Sequence, residues 1–261
     1  MKFYDCFIYN NEDLILDIRF NILNQYVEKF VLVESKVDHQ GNQKKLNFDK
    51  KKFKEFENKI EYLVIDNFPN DFNSWQRENY QRNYIFEGLK NVEDDDYIII
   101  SDVDEIPNLK NINNLKDHKY TVFKQKNLSF KINLINKSLP NWFGSRVCKK
   151  KYLKGSQWLR DQKVKKYSIL KFFKIKWNIV DHGGWHFSYL MSPQQIQKKL
   201  KSFAHSEFNS SFYTDINRIK DAINNKKDLF GRDQIYEKII IDKSFPGYIS
   251  ENKSKFSSWI I

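Results

Sequence analysis

The sequence predicts an α/β fold, with a mostly parallel central sheet flanked by helices and a smaller antiparallel part. Three observations predict it. Short apolar runs rich in β-branched residues recur at 30–33, 60–65 and 97–100, each of strand length and bounded by polar or turn residues. Segments with helical apolar spacing alternate with them, which is the rhythm of a parallel sheet. Beyond Pro107 the rhythm changes, and alternating segments follow one another as antiparallel strands do.

Taken in order, residues 2–9 alternate and are aromatic-rich, as a first strand. Asn10-Asn11 then offers a cap to a helix over 12–23, where Leu14, Ile15, Ile18, Ile22 and Leu23 recur at helical spacing. The second strand, 30–33, ends in Glu34-Ser35. Residues 36–48, with Gly41 and Lys44-Lys45, read as a loop, 50–58 as a short charged helix, and 60–65 as the third strand. Residues 74–89 read as one helix: Trp75, Tyr80, Tyr84, Ile85 and Leu89 form its apolar stripe, and Arg77, Glu78, Gln81 and Arg82 its other face. An acidic turn over 91–96 enters the central strand. Further on, 120–125 and 129–135 alternate as strands, 140–144 reads as a loop, and 149–176 is a basic, aromatic stretch suited to covering one face of a site or meeting an anionic acceptor. Ser192-Pro193 has good helix-start chemistry for a segment carrying Ile196, Leu200 and Phe203. Another amphipathic helix is expected over 214–223, and Ile239-Ile240-Ile241 is apolar without a decisive period. The division expected is one domain over 1–246 and a tail over 247–261 docked on it.

A chain of 261 residues can bury a sizeable core, and its 16 % aromatic content is that of a folded protein. Two cysteines, Cys6 and Cys148, supply neither a disulfide framework nor zinc spacing, which suits a reducing compartment. Asp5 interrupts the place where a secretory signal would be apolar, and no apolar run approaches the roughly 20 residues needed to span a bilayer. The expectation is a cytoplasmic protein with at most peripheral contact with a membrane. The formal charge of +12 is spread along the chain among asparagines, as on a solvated basic surface, and an anionic partner is the second reading.

The central run, residues 97–107, ends in Asp102, Asp104 and Glu105 before Pro107 stops it. Side chains two apart on an extended segment lean to the same side, so Asp102 and Asp104 can converge while Glu105 faces elsewhere. Carboxylates this close repel unless a cation lies between them, and oxygen ligands suit magnesium or manganese. The same spacing fits a solvated acidic turn. Ligands of open α/β sheets bind beyond the carboxyl ends of the strands, so Glu34 and the Asp-x-Asp pair are expected to border one crevice.

Four blocks in this order carry a resemblance: residues 75–83 (Trp-Gln-Arg-Glu, then Gln-Arg-Asn), 101–107, 183–188 (Gly-Gly-Trp-His-Phe-Ser) and 199–207 (Lys-Leu-Lys-Ser-Phe-Ala-His-Ser-Glu), joined by Val33-Glu34-Ser35 with Gly41, Lys44 and Leu46. Together they resemble glycosyltransferase family 17 over roughly residues 1–207. That resemblance implies a single nucleotide-sugar-binding domain of the A type, a divalent metal, and inverting transfer of N-acetylglucosamine from a UDP-sugar to a glycan or glycolipid acceptor. It implies Asp104 as the firmest metal ligand, Asp102 contacting the ribose or the metal through water, and His186 closing the coordination sphere. The nitrogen ligand favours Mn2+ over Mg2+. Arg82, Lys199 and His205 would neutralise the diphosphate; Arg77 and Gln81 would orient the donor or brace the Asp-x-Asp loop. Glu34 would meet the nucleoside with Lys44 closing over it; Trp185 and Trp142 could each stack on a sugar or fill the core, with the site preferred for Trp185. Inversion needs a general base. Asp181 is the first candidate, although His182 beside it stands where a small residue is expected; Glu105, Asp161 and Glu207 stay open, and Glu105 could equally be structural.

Two other classes compete. Metal-dependent phosphatases and nucleases also place Asp-x-Asp after a buried strand, but the dehalogenase-type pattern of an early nucleophilic Asp followed by a hydroxyl residue is missing. A basic nucleic-acid-binding protein fits the charge and aromatic content but no recognised motif.

Overall fold

The computed structural model describes residues 1–112, 115–164 and 175–261. Its strands, in chain order, are β1 (Phe3–Ile8), β2 (Lys29–Ser35), β3 (Ile60–Ile65), β4 (Tyr97–Asp102), β5 (Glu105–Pro107), β6 (Tyr120–Ser129), β7 (Leu134–Asn136), β8 (Asn141–Lys149), β9 (Trp177–Val180), β10 (Gly184–Ser188) and β11 (Tyr236–Lys238). They form one sheet in the order β11-β7-β6-β8-β4-β1-β2-β3. The half from β3 to β4 is parallel, with Ile8 opposite both Val33 and Asp102. From β4 through β8, β6 and β7 to β11 the pairing is antiparallel. The short β10 bridges β5 and β6, its His186 opposite Glu105 and Asn127.

Alternation along the parallel strands divides the core into two layers. Phe7, Phe30, Leu32 and Ile99 face helix α1 (Asp13–Leu23), which packs Ile15, Phe20 and Leu23 onto them. Cys6, Val31, Val33, Ile98 and Ile100 face Ile85, Leu89 and Leu159 on the other side. The α2 helix (Ser74–Asn83) and α4 (Pro193–Ser202) border a cleft at the carboxyl ends of β1, β2 and β4, and α3 (Ser156–Asp161) packs against α2 and β4. Ser192 caps α4 through a reciprocal pair with Gln195, as its sequence predicts. Residues 247–261 run back over the domain, burying Ile249 and Phe256 in the first layer and pairing Lys255 with Asp17 at 2.8 Å. Among the described residues no helix is long and apolar enough to cross a membrane.

Several local expectations are corrected. Residues 74–89 are not one helix: α2 gives way to a 3-10 segment over Tyr84–Leu89, whose tighter winding sets Gly88 against Val31, where a Cβ would lie at 2.7 Å. Trp75 leaves the apolar stripe, 44 % exposed, and meets His205 edge-on. The charged segment Lys50–Lys59 is the expected short helix, of the 3-10 type. The cap of α1 is Glu12 rather than the asparagines, and its carboxylate accepts the Asn10 and Asn11 N–H groups. Strand β6 runs to Ser129, and Phe130, at φ 63°, turns the chain so that only Leu134–Asn136 pairs afterwards. The expected loop over 140–144 is mostly strand, because β8 starts at Asn141. Of the basic stretch 149–176, residues 165–174 lie outside the described residues.

Candidate active site

The cleft encloses about 330 Å³ where β1, β2 and β4 end, between α2 and α4. Asp102, Val103 and Asp104 form its floor, Gln81 and Arg82 rise from α2, Lys199 and Ser202 from α4, Lys44 and His39 from the loop after β2, and Trp142 and His186 from β8 and β10. Of the expected site residues, Asp102, Asp104, His186, Lys44, Gln81, Arg82, Lys199 and His205 are brought together here.

The two aspartates share the floor and differ in their partners. Asp102 is held between guanidiniums, Oδ1 at 3.0 Å from Arg82 Nη2 and Oδ2 at 2.8 Å from Arg160 Nη2. Burial opposes its ionisation, but Arg160 and Arg82 outweigh burial and hold the carboxyl well below the usual range. Asp104 faces His186 Nε2 at 3.8 Å and Lys199 Nζ at 3.9 Å. Burial pushes its carboxyl above the ordinary value against the pull of Lys199 and His186. Lys199 also lies 3.3 Å from Glu12; burial disfavours its charge, yet the two carboxylates keep the ammonium firmly protonated. The repulsion expected between adjacent carboxylates is thus met by arginines on one side and a lysine on the other. Among the described residues no three His, Cys, Asp or Glu side chains are grouped to hold a metal.

The His186 ring is braced as a ligand would be. Its Nδ1 lies 3.1 Å from Asn127 Oδ1, and its Nε2 faces Asp104, so that with the proton on Nδ1 the Nε2 lone pair would point into the site. Trp142 stacks on the same ring at 4.8 Å between centroids and 23° between planes. The donor set left for a divalent ion is one carboxylate and one imidazole, and it fits an ion that completes its shell with phosphate oxygens and water.

Five expected residues lie outside the cleft lining. Glu34 is fully buried and accepts from Lys44 Nζ at 2.7 Å, the backbone N–H groups of Asn47 and Phe48 at 2.7 and 3.1 Å, and Tyr62 Oη at 2.9 Å. It ties down the loop after β2, whose buried donors need an acceptor, rather than facing a nucleoside. Glu34→Ala is expected to cost about 3 kcal/mol, from the lost Lys44 ion pair and the N–H and hydroxyl donors left without their acceptor, read as a lower denaturation midpoint. Arg77 braces the residue 38–42 loop rather than the Asp-x-Asp loop, donating to His39 O at 3.1 Å beneath Gly41, which at φ 95° leaves its guanidinium room. Trp185 is core, 6 % exposed, donating to Ser244 O at 3.0 Å. On a strand, neighbours point to opposite faces, so Trp185 and His186 could not share the cleft; Trp142 is its tryptophan. Glu105 is 1 % exposed and takes Arg160 on both oxygens, Trp142 Nε1 at 2.7 Å and the Asp102 N–H at 3.0 Å, which leaves it no free lone pair for a proton. Asp181 stands at the amino-terminal approach to β10, 68 % exposed at its side chain and bound to Lys124 at 2.7 Å.

Sequence reasoning missed three residues. Arg160 is one: it fixes Asp102 and Glu105 from 55 to 58 positions away, and only the need of three carboxylates for cations could have pointed to an arginine. Glu12 is another, anchoring Lys199. His39, the third, lines the cleft with Nε2 2.8 Å from Gln81 Oε1, and Gln81 donates in turn to Val33 O at 2.9 Å. Burial holds the His39 imidazole below its ordinary 6.5. A histidine with a depressed pKa stabilises the fold fully above the unfolded value and loses that contribution as pH falls through it. Stability is therefore expected to fall between pH 7 and pH 5, and less steeply in His39→Asn, as urea midpoints at both pH values will measure.

The model of glycosyltransferase family 17 matches residues 1–241. Among curated proteins, the chain is similar to the human β-1,4-mannosyl-glycoprotein 4-β-N-acetylglucosaminyltransferase, 25 % identical over 232 residues that cover 76 % of this chain and 42 % of that protein. The rat and mouse proteins of the same name match with the same identity and coverage. The chain thus spans less than half the length of these relatives. No solved structure matches it.

Proposed function

The chain belongs to glycosyltransferase family 17, and from that membership we propose that it transfers N-acetylglucosamine from a UDP-sugar, with inversion, to a hydroxyl of a glycan or glycolipid acceptor. The observation that carries this reading is the cleft floor, where Asp104 and a braced His186 stand beside the cations Lys199 and Arg82. Such a site suits a nucleoside diphosphate and its metal. The names of the relatives support N-acetylglucosamine as the sugar. The family match disfavours phosphoryl transfer and nucleic-acid binding as primary roles.

A divalent cation, Mn2+ in preference to Mg2+, would be held by Asp104 and His186 and would neutralise charge on the departing diphosphate. Lys199 donates to a phosphate oxygen from the α4 side, kept charged by Glu12 and Asp104. Arg82, fixed by Glu78 at 2.8 Å and by Asp102, adds a second cation from α2. Together they lower the cost of breaking the bond between the anomeric carbon and the phosphate oxygen. As the acceptor hydroxyl oxygen bonds to that carbon from the opposite face, its proton must go to a base. His205 suits this better than Asp181, because it lines the cleft and its Nδ1 lies 2.7 Å from Glu207 Oε1, a carboxylate that would stabilise the imidazolium. Buried, free Cys6 and Cys148 support a reducing, cytoplasmic setting.

Screening UDP-N-acetylglucosamine, UDP-glucose, UDP-galactose and UDP-N-acetylgalactosamine for UDP release tests the proposal. Release with the first donor, dependent on Mn2+ and raised by a glycan mixture, is the expected result. Equal release in chelator would overturn the metal role, and preference for another donor the sugar. His205→Asn should keep UDP affinity within about 3-fold and lower turnover about 100-fold or more; unchanged turnover would move the base elsewhere.

A further inference from the structure

We infer that Arg19 is a positioning residue for the catalytic turn, a buried guanidinium that holds the backbone beneath Asp102 and Asp104 in place. It comes from α1, whose other inward residues, Ile15, Leu16, Ile18, Phe20 and Leu23, are apolar, and it is itself fully buried. Asp5 of β1 pairs with it side-on, Nε to Oδ2 at 2.7 Å and Nη2 to Oδ1 at 2.5 Å. An ion pair of this kind alone adds little, since apolar residues of equal volume often replace one without loss of stability.

The remaining donors do something an apolar pair could not. Nη1 reaches three carbonyl oxygens of one turn, Asp102 and Val103 at 3.1 Å and Glu105 at 2.8 Å, and Nη2 also reaches Ser101 Oγ at 2.8 Å. These are the carbonyls of the segment joining β4 to β5, and they converge on the planar fork from above. With the Asp104 carbonyl taken by the Phe187 N–H at 2.9 Å, and the Glu105 carbonyl shared with Ser145 Oγ at 2.8 Å, every carbonyl from Asp102 to Glu105 is held. The backbone is thereby fixed with the Asp102 and Asp104 side chains directed up into the site. Lysine could pair with Asp5 but, as a compact point charge, cannot span the same set.

The clamp itself stands on this geometry, and only its consequence for binding rests on the proposed use of UDP and Mn2+. The test compares the full chain with Arg19→Lys and with Asp5→Leu/Arg19→Met, by hydrogen exchange of the 101–107 segment and by calorimetric UDP affinity with and without Mn2+. The expected result is exchange at least 10-fold faster in 101–107 with the rest of the sheet unchanged, and at least a 10-fold loss of the Mn2+-dependent gain in UDP affinity, while metal-free UDP affinity holds. Unchanged exchange in either folded variant overturns the inference, as does an intact Mn2+ effect despite faster exchange. Failure of both variants to fold also overturns it, since Arg19 would then serve stability alone. If the unmodified chain binds UDP without regard to Mn2+, the proposed metal role falls instead, and the exchange data alone decide the clamp.

Discussion

Asp104→Ala is expected to lower transfer at least about 1,000-fold and to abolish the Mn2+-dependent part of UDP affinity. A cation on the leaving group supplies several kcal/mol of transition-state stabilisation, and about 4 kcal/mol corresponds to three orders of magnitude. Asp104 is the carboxylate that shares the cleft floor with the braced His186, whereas Asp102 is occupied on both oxygens by Arg82 and Arg160. Asp104→Ala should therefore be more damaging to metal binding than Asp102→Asn. The protein should remain folded, because the turn is held by carbonyl contacts to Arg19 that do not involve the Asp104 side chain. Manganese titration followed by electron paramagnetic resonance, alongside UDP calorimetry, separates the two effects. Manganese and UDP binding that survive Asp104→Ala unchanged would remove Asp104 from the metal site.

Arg160→Ala is expected to cost about 3–5 kcal/mol of stability, a large part of the roughly 5–15 kcal/mol of a typical domain. Glu105 would be left buried with only Trp142 and one backbone N–H, and Asp102 would lose one of its two guanidiniums. Arg160→Lys should recover part of the loss, since a lysine restores charge without the two-pronged contact. Adding Glu105→Gln to Arg160→Ala should recover part as well, because it removes the unpaired charge. Urea denaturation of the single and double variants yields the coupling between the two sites, expected at about 2 kcal/mol or more. Near-additive effects would mean that Arg160 and Glu105 do not depend on each other.

The sequence by itself determined what is local. The alternation of apolar strands with helical segments is read from spacing, and so is the position of Asp102 and Asp104 at the carboxyl end of β4, because each depends on residues within one turn or one strand. The Ser192-Pro193 helix start is local in the same sense. The four ordered blocks were enough to indicate the family that the comparisons then showed. Alternation on β10 even contained the choice between Trp185 and His186, since adjacent strand residues face opposite sides.

Only the tertiary structure decided which charged groups face the cleft and which are spent holding it together. Glu34 and Glu105 stand beside the site in sequence, yet both are turned inward, because Lys44, Asn47 and Phe48 in one case and Arg160 and Trp142 in the other arrive to satisfy them. Arg19 is one of several polar residues of α1, and only the fold brings the 101–105 turn onto its guanidinium. A buried charge must find its partner wherever folding brings one within about 3 Å, and spacing along the chain does not record that meeting.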